Sequence, residues 1–137
     1  MANKVYDKAR NLFMRGDLSW KSGATNWRAI LVDIQGGTGY TADFAADDTL
    51  AAVPALARIS EIALVPADPV AGVADAADVT FLAVTGAVSE AIVIVNGVGD
   101  AAKLVAYIDT ATGLPVTPNS GDINVVWDNG SNKIWKL

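Results

Sequence analysis

The stretch SEAIVIVNGVGDAAKLVAYIDT, residues 89–110, indicates the fold of this 137-residue chain more strongly than any other. Its first half contains AIVIV, the densest run of β-branched residues in the sequence, and such residues pack well on a pleated strand. NGVGD follows, and its glycines, asparagine and aspartate suit a tight turn. The stretch therefore predicts two antiparallel strands joined as a hairpin.

The sequence on either side repeats this pattern of short apolar segments between turn residues. NWRAILVDI (26–34) and ARISEIALV (57–65) each read as a strand, and VADAADVTFLAV (73–84) ends in an apolar alternation. TATGLPVTPNSGD (110–122) is too long for a hairpin loop and predicts a crossing from one sheet to another. About seven short strands result, which predicts a mainly β fold, an antiparallel β-sandwich or barrel.

The first sixteen residues form the one segment with a clear helical period. Its apolar residues recur at spacings of one helical turn: Val5, Ala9, Leu12 and Phe13. Asn3 is placed to cap the start of the helix, and Gly16 is placed to end it. We therefore expect an N-terminal helix over residues 1–16 followed by a β domain over 26–137. No shift in composition divides the chain, so residues 1–137 are predicted to be a single domain.

Composition excludes several classes of function. The chain has no Cys and no His, which removes disulfides, thiolate nucleophiles, imidazole catalysis and ordinary zinc sites. Ten basic and fifteen acidic residues leave a net charge of −5, and the basic residues are scattered, which disfavours nucleic-acid binding. There is no apolar run long enough for a membrane span, and the charged N-terminus does not resemble a signal peptide. We expect assembly in a cytoplasm, without a membrane, metal or cofactor.

The chain ends on DINVVWDNGSNKIWKL, residues 122–137, in which DNGSN suggests a calcium loop. An EF-hand loop starting at Asp128 would need an oxygen ligand at its third position, glycine at its sixth and glutamate at its twelfth. The sequence has Gly130 and Lys133 at the first two of these positions and stops before the last. The calcium interpretation therefore fails.

A closing hairpin fits the same sixteen residues better. Residues 129–132 would form its loop, and Asp128 would pair with Lys133. That register sets Trp127 opposite Ile134, and Val126 opposite Trp135, which joins an aromatic to an aliphatic side chain on both faces. The last strand would then be an uncovered sheet edge available to another subunit.

Other motifs give no reaction centre. GGTG (36–39) lacks the Lys-Ser/Thr of a phosphate loop, and RGD (15–17) lies where a helix is expected to end. The acidic pairs that a hydrolase without histidine would need are Asp47 with Asp48 and Asp75 with Asp78. Nothing around either pair predicts an apolar pocket that would raise one pKa. We therefore predict no catalytic residues and no enzyme, and a carboxylate-dependent hydrolase remains a remote alternative.

The four tryptophans are the feature that most suggests binding. Trp27 and Trp127 lie in apolar segments, where core packing explains them. Trp20 lies in a polar connector, and Trp135 lies two residues before Leu137, so either could contact another chain. The candidate interface residues are Trp20, Tyr40, Trp135 and Leu137.

Three segments carry a resemblance to a known class of protein: the opening MANKVYDKARNLFMRGDLSW, VADAADVTFLAVTGAVSEAIVIV, and LVAYIDTATGLPVTPNSGDINVVWDNGSNKIWKL. Together they resemble a family of small virion structural proteins of tailed bacteriophages, which are head decoration or tail-associated proteins. The resemblance covers most of the chain. It implies a place in a virus particle and no catalytic residues.

We expect from this resemblance a capsid decoration (cement) protein, a homotrimer that binds the major capsid protein on the outer surface of the phage head. Symmetry would repeat one modest contact over the whole shell. A tail or baseplate component is the alternative within the same class. A carbohydrate- or receptor-binding module, with Trp20, Tyr40 or Trp135 as a stacking platform, is the alternative from another class.

Overall fold

The computed structural model describes residues 3–131 and 133–137 and is mainly β with one α-helix. Its elements, in chain order, are β1 (Lys4–Val5), α1 (Asp7–Arg15), β2 (Trp27–Val32), β3 (Arg58–Ala63), β4 (Val73–Ala74), β5 (Val79–Phe81), β6 (Ala91–Asn96), β7 (Lys103–Ile108), β8 (Ile123–Val125) and β9 (Trp135–Lys136). Short 3₁₀ turns lie at Leu50–Ala52, Ala55–Ala57 and Gly99–Ala101. The predicted fold class, mainly β with an N-terminal helix, is confirmed.

One antiparallel sheet in the order β1-β7-β6-β2-β3 forms the centre of the molecule. Side chains alternate between the two faces of a strand, and the register places Trp27 on one face and Tyr107 on the other. Aromatic side chains from outside the sheet cover both faces, with Trp20 against Trp27 and Phe44 against Tyr107. This double covering explains why β6 is a continuous apolar run instead of an alternating one.

The hairpin predicted from residues 89–110 is present. β6 and β7 pair from Ile92–Ile108 to Asn96–Lys103, with one register shift after Ile94. Gly97 begins the turn with a φ of 126°, a value that L-residues avoid. The segments predicted as strands at 26–34 and 57–65 contain β2 and β3, which pair with each other.

The N-terminal helix is shorter than predicted, and its predicted cap is wrong. Lys4–Val5 instead form β1, because the free side of β7 offers backbone hydrogen bonds to this segment. The Asn3 carboxamide oxygen accepts the N–H groups of Asp109 and Thr110, so it does not cap a helix. Gly16 does end α1, with a φ of 81°. Residues 1 and 2 of the predicted helix lie outside the described residues.

The predicted closing hairpin is also wrong. β8 pairs with β5 and β9 pairs with β4, each in a separate two-stranded sheet. The physical reason is that the two tryptophans are buried in different places. Trp127 donates its indole N–H to the carbonyl of Ala77, and Trp135 packs edge-on against Trp20. Of the predicted loop 129–132, Asn132 lies outside the described residues. The predicted crossing between sheets over 110–122 is confirmed, since this segment joins β7 to β8.

Candidate interaction groove

A groove with a volume of about 1410 Å³ lies beside the face of the sheet that carries Trp27. Its floor is apolar and is formed by side chains of three sheet strands: Leu31, Ile92, Ala106 and Ile108. One wall is the segment around β1, another is β8 with the loop before it, and a third is the C-terminal segment. The groove thus joins the two ends of the described chain on one surface.

The three short strands in the walls of the groove, β1, β8 and β9, each have a strand partner on one side only among the described residues. β1 pairs with β7, β8 with β5, and β9 with β4. No second strand partner occurs for any of them within residues 3–131 and 133–137. A strand with one partner has backbone groups that can bind a further segment, which is a common route to association.

Exposed apolar side chains lie at the rim of the groove. Val126 is 73% exposed and Leu137 is 56% exposed, and both line the groove. Single exposed apolar residues are ordinary on protein surfaces, but here two adjoin an apolar floor. Because the floor residues are themselves buried, Val126 and Leu137 are the exposed large apolar side chains of the described lining that a partner could contact.

The charged residues that line the groove do not give it an excess of one sign. Of the described residues, four basic ones and one acidic one line it: Lys4, Arg10, Lys133, Lys136 and Asp128. Arg10 pairs with Asp7, and Lys133 pairs with Asp75. Lys4 lies opposite Tyr107 in the sheet, and its ammonium is 5.0 Å from the centre of the Phe44 ring, on the face away from the groove. Of these lining residues, that leaves Lys136 and Asp128, one charge of each sign.

Two of the predicted interface residues, Trp20 and Trp135, are buried in the chain's own core. Their ring centroids lie 4.5 Å apart with an edge-on geometry, and Trp20 meets Trp27 in the same way at 4.7 Å. Phe13 of α1 stacks on Trp27 from the helix side. Trp20 also donates its indole N–H to the carbonyl of Asp75. This aromatic cluster holds the helix, the connector and the C-terminal strand on the sheet.

Tyr40, the third predicted interface residue, is also buried, so it offers no stacking platform. Its hydroxyl donates to the Asp47 carboxylate at 2.6 Å and lies 2.7 Å from the hydroxyl of Tyr6. Burial raises the pKa of both tyrosines well above the ordinary value. The pair is a hydrogen-bonded network inside the fold, linking the residue before α1 to the segment that covers the other face of the sheet.

Leu137 is the one predicted interface residue that lies on the surface. Its side chain lines the groove, and its backbone N–H donates to the carbonyl of Gly72. The sequence prediction missed Val126, which it placed in a strand opposite Trp135. A valine beside a buried tryptophan has no sequence signal that distinguishes an exposed side chain from a core one.

The acidic residues considered for hydrolysis all have structural partners in the fold. Asp48 pairs with Lys103, Asp75 pairs with Lys133, and Asp78 accepts the backbone N–H of Trp127. Asp47 accepts from Tyr40, as above. Within the described residues, no three acidic side chains lie close enough together to hold a metal ion.

The chain matches no protein-family model, and no curated protein shows significant similarity to it. Nor does any helix among residues 3–131 and 133–137 have the length and hydropathy needed to cross a bilayer. The groove is therefore interpreted from its own geometry and charge.

Proposed function

We propose that this protein is a structural component of a tailed-bacteriophage particle, a capsid decoration protein that binds the outer surface of the head as a homotrimer. The observation that carries the proposal is the groove. It has an apolar floor, exposed valine and leucine side chains at its rim, and three bordering strands that are paired on one side only. These features suit binding to a protein surface.

The resemblance of most of the sequence to small phage virion proteins is the reason for proposing a phage particle as the place where this protein binds. A decoration protein works by repetition, because each copy adds a modest contact and the shell repeats that contact many times. The physical task is to bridge neighbouring capsid subunits, and apolar burial with backbone pairing is sufficient for it. The major capsid protein is the proposed partner.

A tail or baseplate component is the second candidate. The same groove favours it, because subunits of rings and tubes also associate through one repeated contact. The carbohydrate- or receptor-binding module is less favoured, because the three aromatic residues of its predicted stacking platform, Trp20, Tyr40 and Trp135, are buried in this chain.

The test is addition of the purified protein to expanded heads that lack it. We expect the protein to sediment with the heads and to raise their resistance to heat and to chelators, relative to the same heads without it. Heads that already carry the protein are the matched control and should bind no more. Failure to bind any form of the head would overturn the decoration role. Antibody labelling of tails, with none on heads, would select the second candidate instead.

A further inference from the structure

The chain contains two Asn-Gly pairs, and the fold places them in different surroundings. Asn96–Gly97 lies at the end of β6, and Asn129–Gly130 lies between β8 and β9. In such a pair the backbone nitrogen of the glycine can attack the carboxamide of the asparagine, because glycine has no side chain to obstruct the approach and adopts the backbone conformations that it requires. The sequence makes both asparagines candidates for this reaction, and the tertiary structure distinguishes them.

The first pair is held by the sheet and the segment beside it. Asn96 is half-buried, and its carboxamide N–H donates to the carbonyl of Thr25 at 3.1 Å. The backbone N–H of Gly97 donates to the carbonyl of Asn26 at 3.0 Å. Both the attacking nitrogen and the carboxamide are therefore engaged, and reaction requires this end of the hairpin to open.

The second pair lacks these restraints. Asn129 and Gly130 are exposed, and neither backbone N–H bonds to a backbone carbonyl among residues 3–131 and 133–137. The Gly130 N–H donates instead to Oδ1 of Asp128, at 3.0 Å. The Asn129 carboxamide makes no hydrogen bond within the same described residues. The nitrogen that must lose its proton thus points at a carboxylate, and the carboxamide that it must reach is free to rotate.

We propose that Asn129 is a site of spontaneous deamidation, with water as the co-reactant. The Gly130 nitrogen forms a bond to Cγ of Asn129 and the Cγ–Nδ2 bond breaks, so that the backbone amide proton leaves with Nδ2 as ammonia. Water then opens the cyclic imide at either of its carbonyls, which gives aspartate or isoaspartate. The sum is carboxamide plus water giving carboxylate plus ammonia, and no oxidant or reductant takes part.

The change falls in the lining of the groove. Asn129 lines it together with Asp128 and Lys136, so deamidation adds a negative charge to a surface on which these two charges balance. The isoaspartate product also adds a methylene group to the main chain between two buried residues, Trp127 and Ile134. The groove therefore changes with the age of each copy. This inference goes beyond the proposed function and does not depend on it.

The test follows the two asparagines in one sample of folded protein over days, at neutral and at mildly alkaline pH. Trypsin cleaves after Lys and Arg and so leaves them in separate peptides, residues 59–103 and 104–133. Mass spectrometry detects the conversion of a carboxamide to a carboxylate, and fragmentation assigns it to one asparagine. We expect Asn129 to react at least about tenfold faster than Asn96, because Asn96 reacts only from an opened hairpin. The rate should rise with pH, since the attacking nitrogen must lose its proton.

Urea provides the matched control at the same two positions. In the unfolded chain both asparagines have a glycine neighbour and no tertiary restraint, so their rates should become similar. Gly130→Ala should slow the reaction at Asn129 several-fold, because the methyl group obstructs the attack. The added Cβ would lie 2.8 Å from Oδ2 of Asp128, the end of a side chain that can rotate away. Circular dichroism of this variant checks that the fold is intact.

Three results would contradict the inference. They are a folded chain in which Asn96 reacts as fast as Asn129, an Asn129 that reacts only in urea, and a rate at Asn129 that Gly130→Ala leaves unchanged. Asn129→Ser removes the reacting carboxamide, so its 104–133 peptide should lack the product assigned to this position.

Discussion

At the scale of single residues, the Tyr6–Tyr40–Asp47 network carries the buried polar interactions beside the sheet. Among the described residues, the Tyr40 hydroxyl contacts both the Asp47 carboxylate and the Tyr6 hydroxyl, whereas the Tyr6 hydroxyl contacts only that of Tyr40. A hydrogen bond to a charged group contributes more than a neutral one, and removing a donor leaves its acceptor unsatisfied. The two hydroxyl groups should therefore differ in their contribution to stability.

Tyr40→Phe is expected to lower the free energy of unfolding by about 1–3 kcal/mol, and Tyr6→Phe by about 1 kcal/mol. Both variants keep the aromatic ring, so they isolate the hydroxyl. Urea unfolding followed by tryptophan fluorescence measures the difference. Equal losses for the two variants would show that the bond to Asp47 adds nothing.

The aromatic cluster is the second residue-scale feature with a measurable consequence. Trp20 is buried between Trp27 and Trp135, so Trp20→Ala is expected to cost about 3–5 kcal/mol in the free energy of unfolding. Leu82→Ala, at an exposed position, should stay within about 0.5 kcal/mol of the wild type. Thermal and urea unfolding of both variants provide the comparison. A small loss of stability for Trp20→Ala would contradict its place in the core and would favour its predicted role in a surface contact.

At the scale of elements, the β6–β7 turn depends more on Gly97 than on Gly99. A Cβ at Gly97 would lie 2.8 Å from the Cα of Ala102, and the backbone there has a φ of 126°. Gly99 has a φ of 63°, in the left-handed region, and has open space around it. Comparing alanine substitutions at Gly97 and Gly99 therefore separates the effect of a steric collision from the effect of backbone conformation.

Gly97→Ala is expected to lower the free energy of unfolding by about 3 kcal/mol, because collision and backbone strain act together. Gly99→Ala should cost about 1 kcal/mol, since alanine adopts the left-handed conformation at a modest penalty. Denaturant unfolding of the two variants measures both. A loss at Gly99 equal to that at Gly97 would contradict the steric account.

At the scale of the whole molecule, the buried tyrosines set the alkaline limit of stability. Burial, with a smaller contribution from Asp109, raises the pKa of Tyr107 to about 12, and burial raises those of Tyr6 and Tyr40 as well. In the unfolded chain tyrosine ionises at about pH 10. Above that pH the unfolded chain binds fewer protons than the folded one, so the free energy of unfolding must fall as pH rises.

We therefore expect the buried tyrosines to leave the free energy of unfolding nearly constant from about pH 8 to pH 10. Above about pH 10 they should make it fall. Tyr107→Phe should make the fall shallower by about 1.4 kcal/mol per pH unit while folded Tyr107 stays neutral. Chemical unfolding at several pH values gives the two curves. Identical slopes would show that Tyr107 ionises equally in both states.

How much of this structure the sequence predicts depends on how local each interaction is. Residues 89–110 predict β6, β7 and their antiparallel pairing, because a dense β-branched run and a glycine-rich turn act within a few residues. The pairing of β8 and β9 was predicted wrongly, because both segments are short and their partners, β5 and β4, lie far away in the sequence. The order of the central sheet likewise depends on contacts across the chain.

Composition and short-range pattern are enough to predict a β-rich, acidic chain without the side chains for imidazole or thiolate chemistry, because that information is local. Which apolar side chains lie at the surface depends instead on the packing of distant segments. Trp20, Tyr40 and Trp135 are buried, and Val126 and Leu137 are exposed beside the groove. Burial depends on which distant segments pack together, and a tryptophan in a polar connector has the same sequence context whether it faces water or a core.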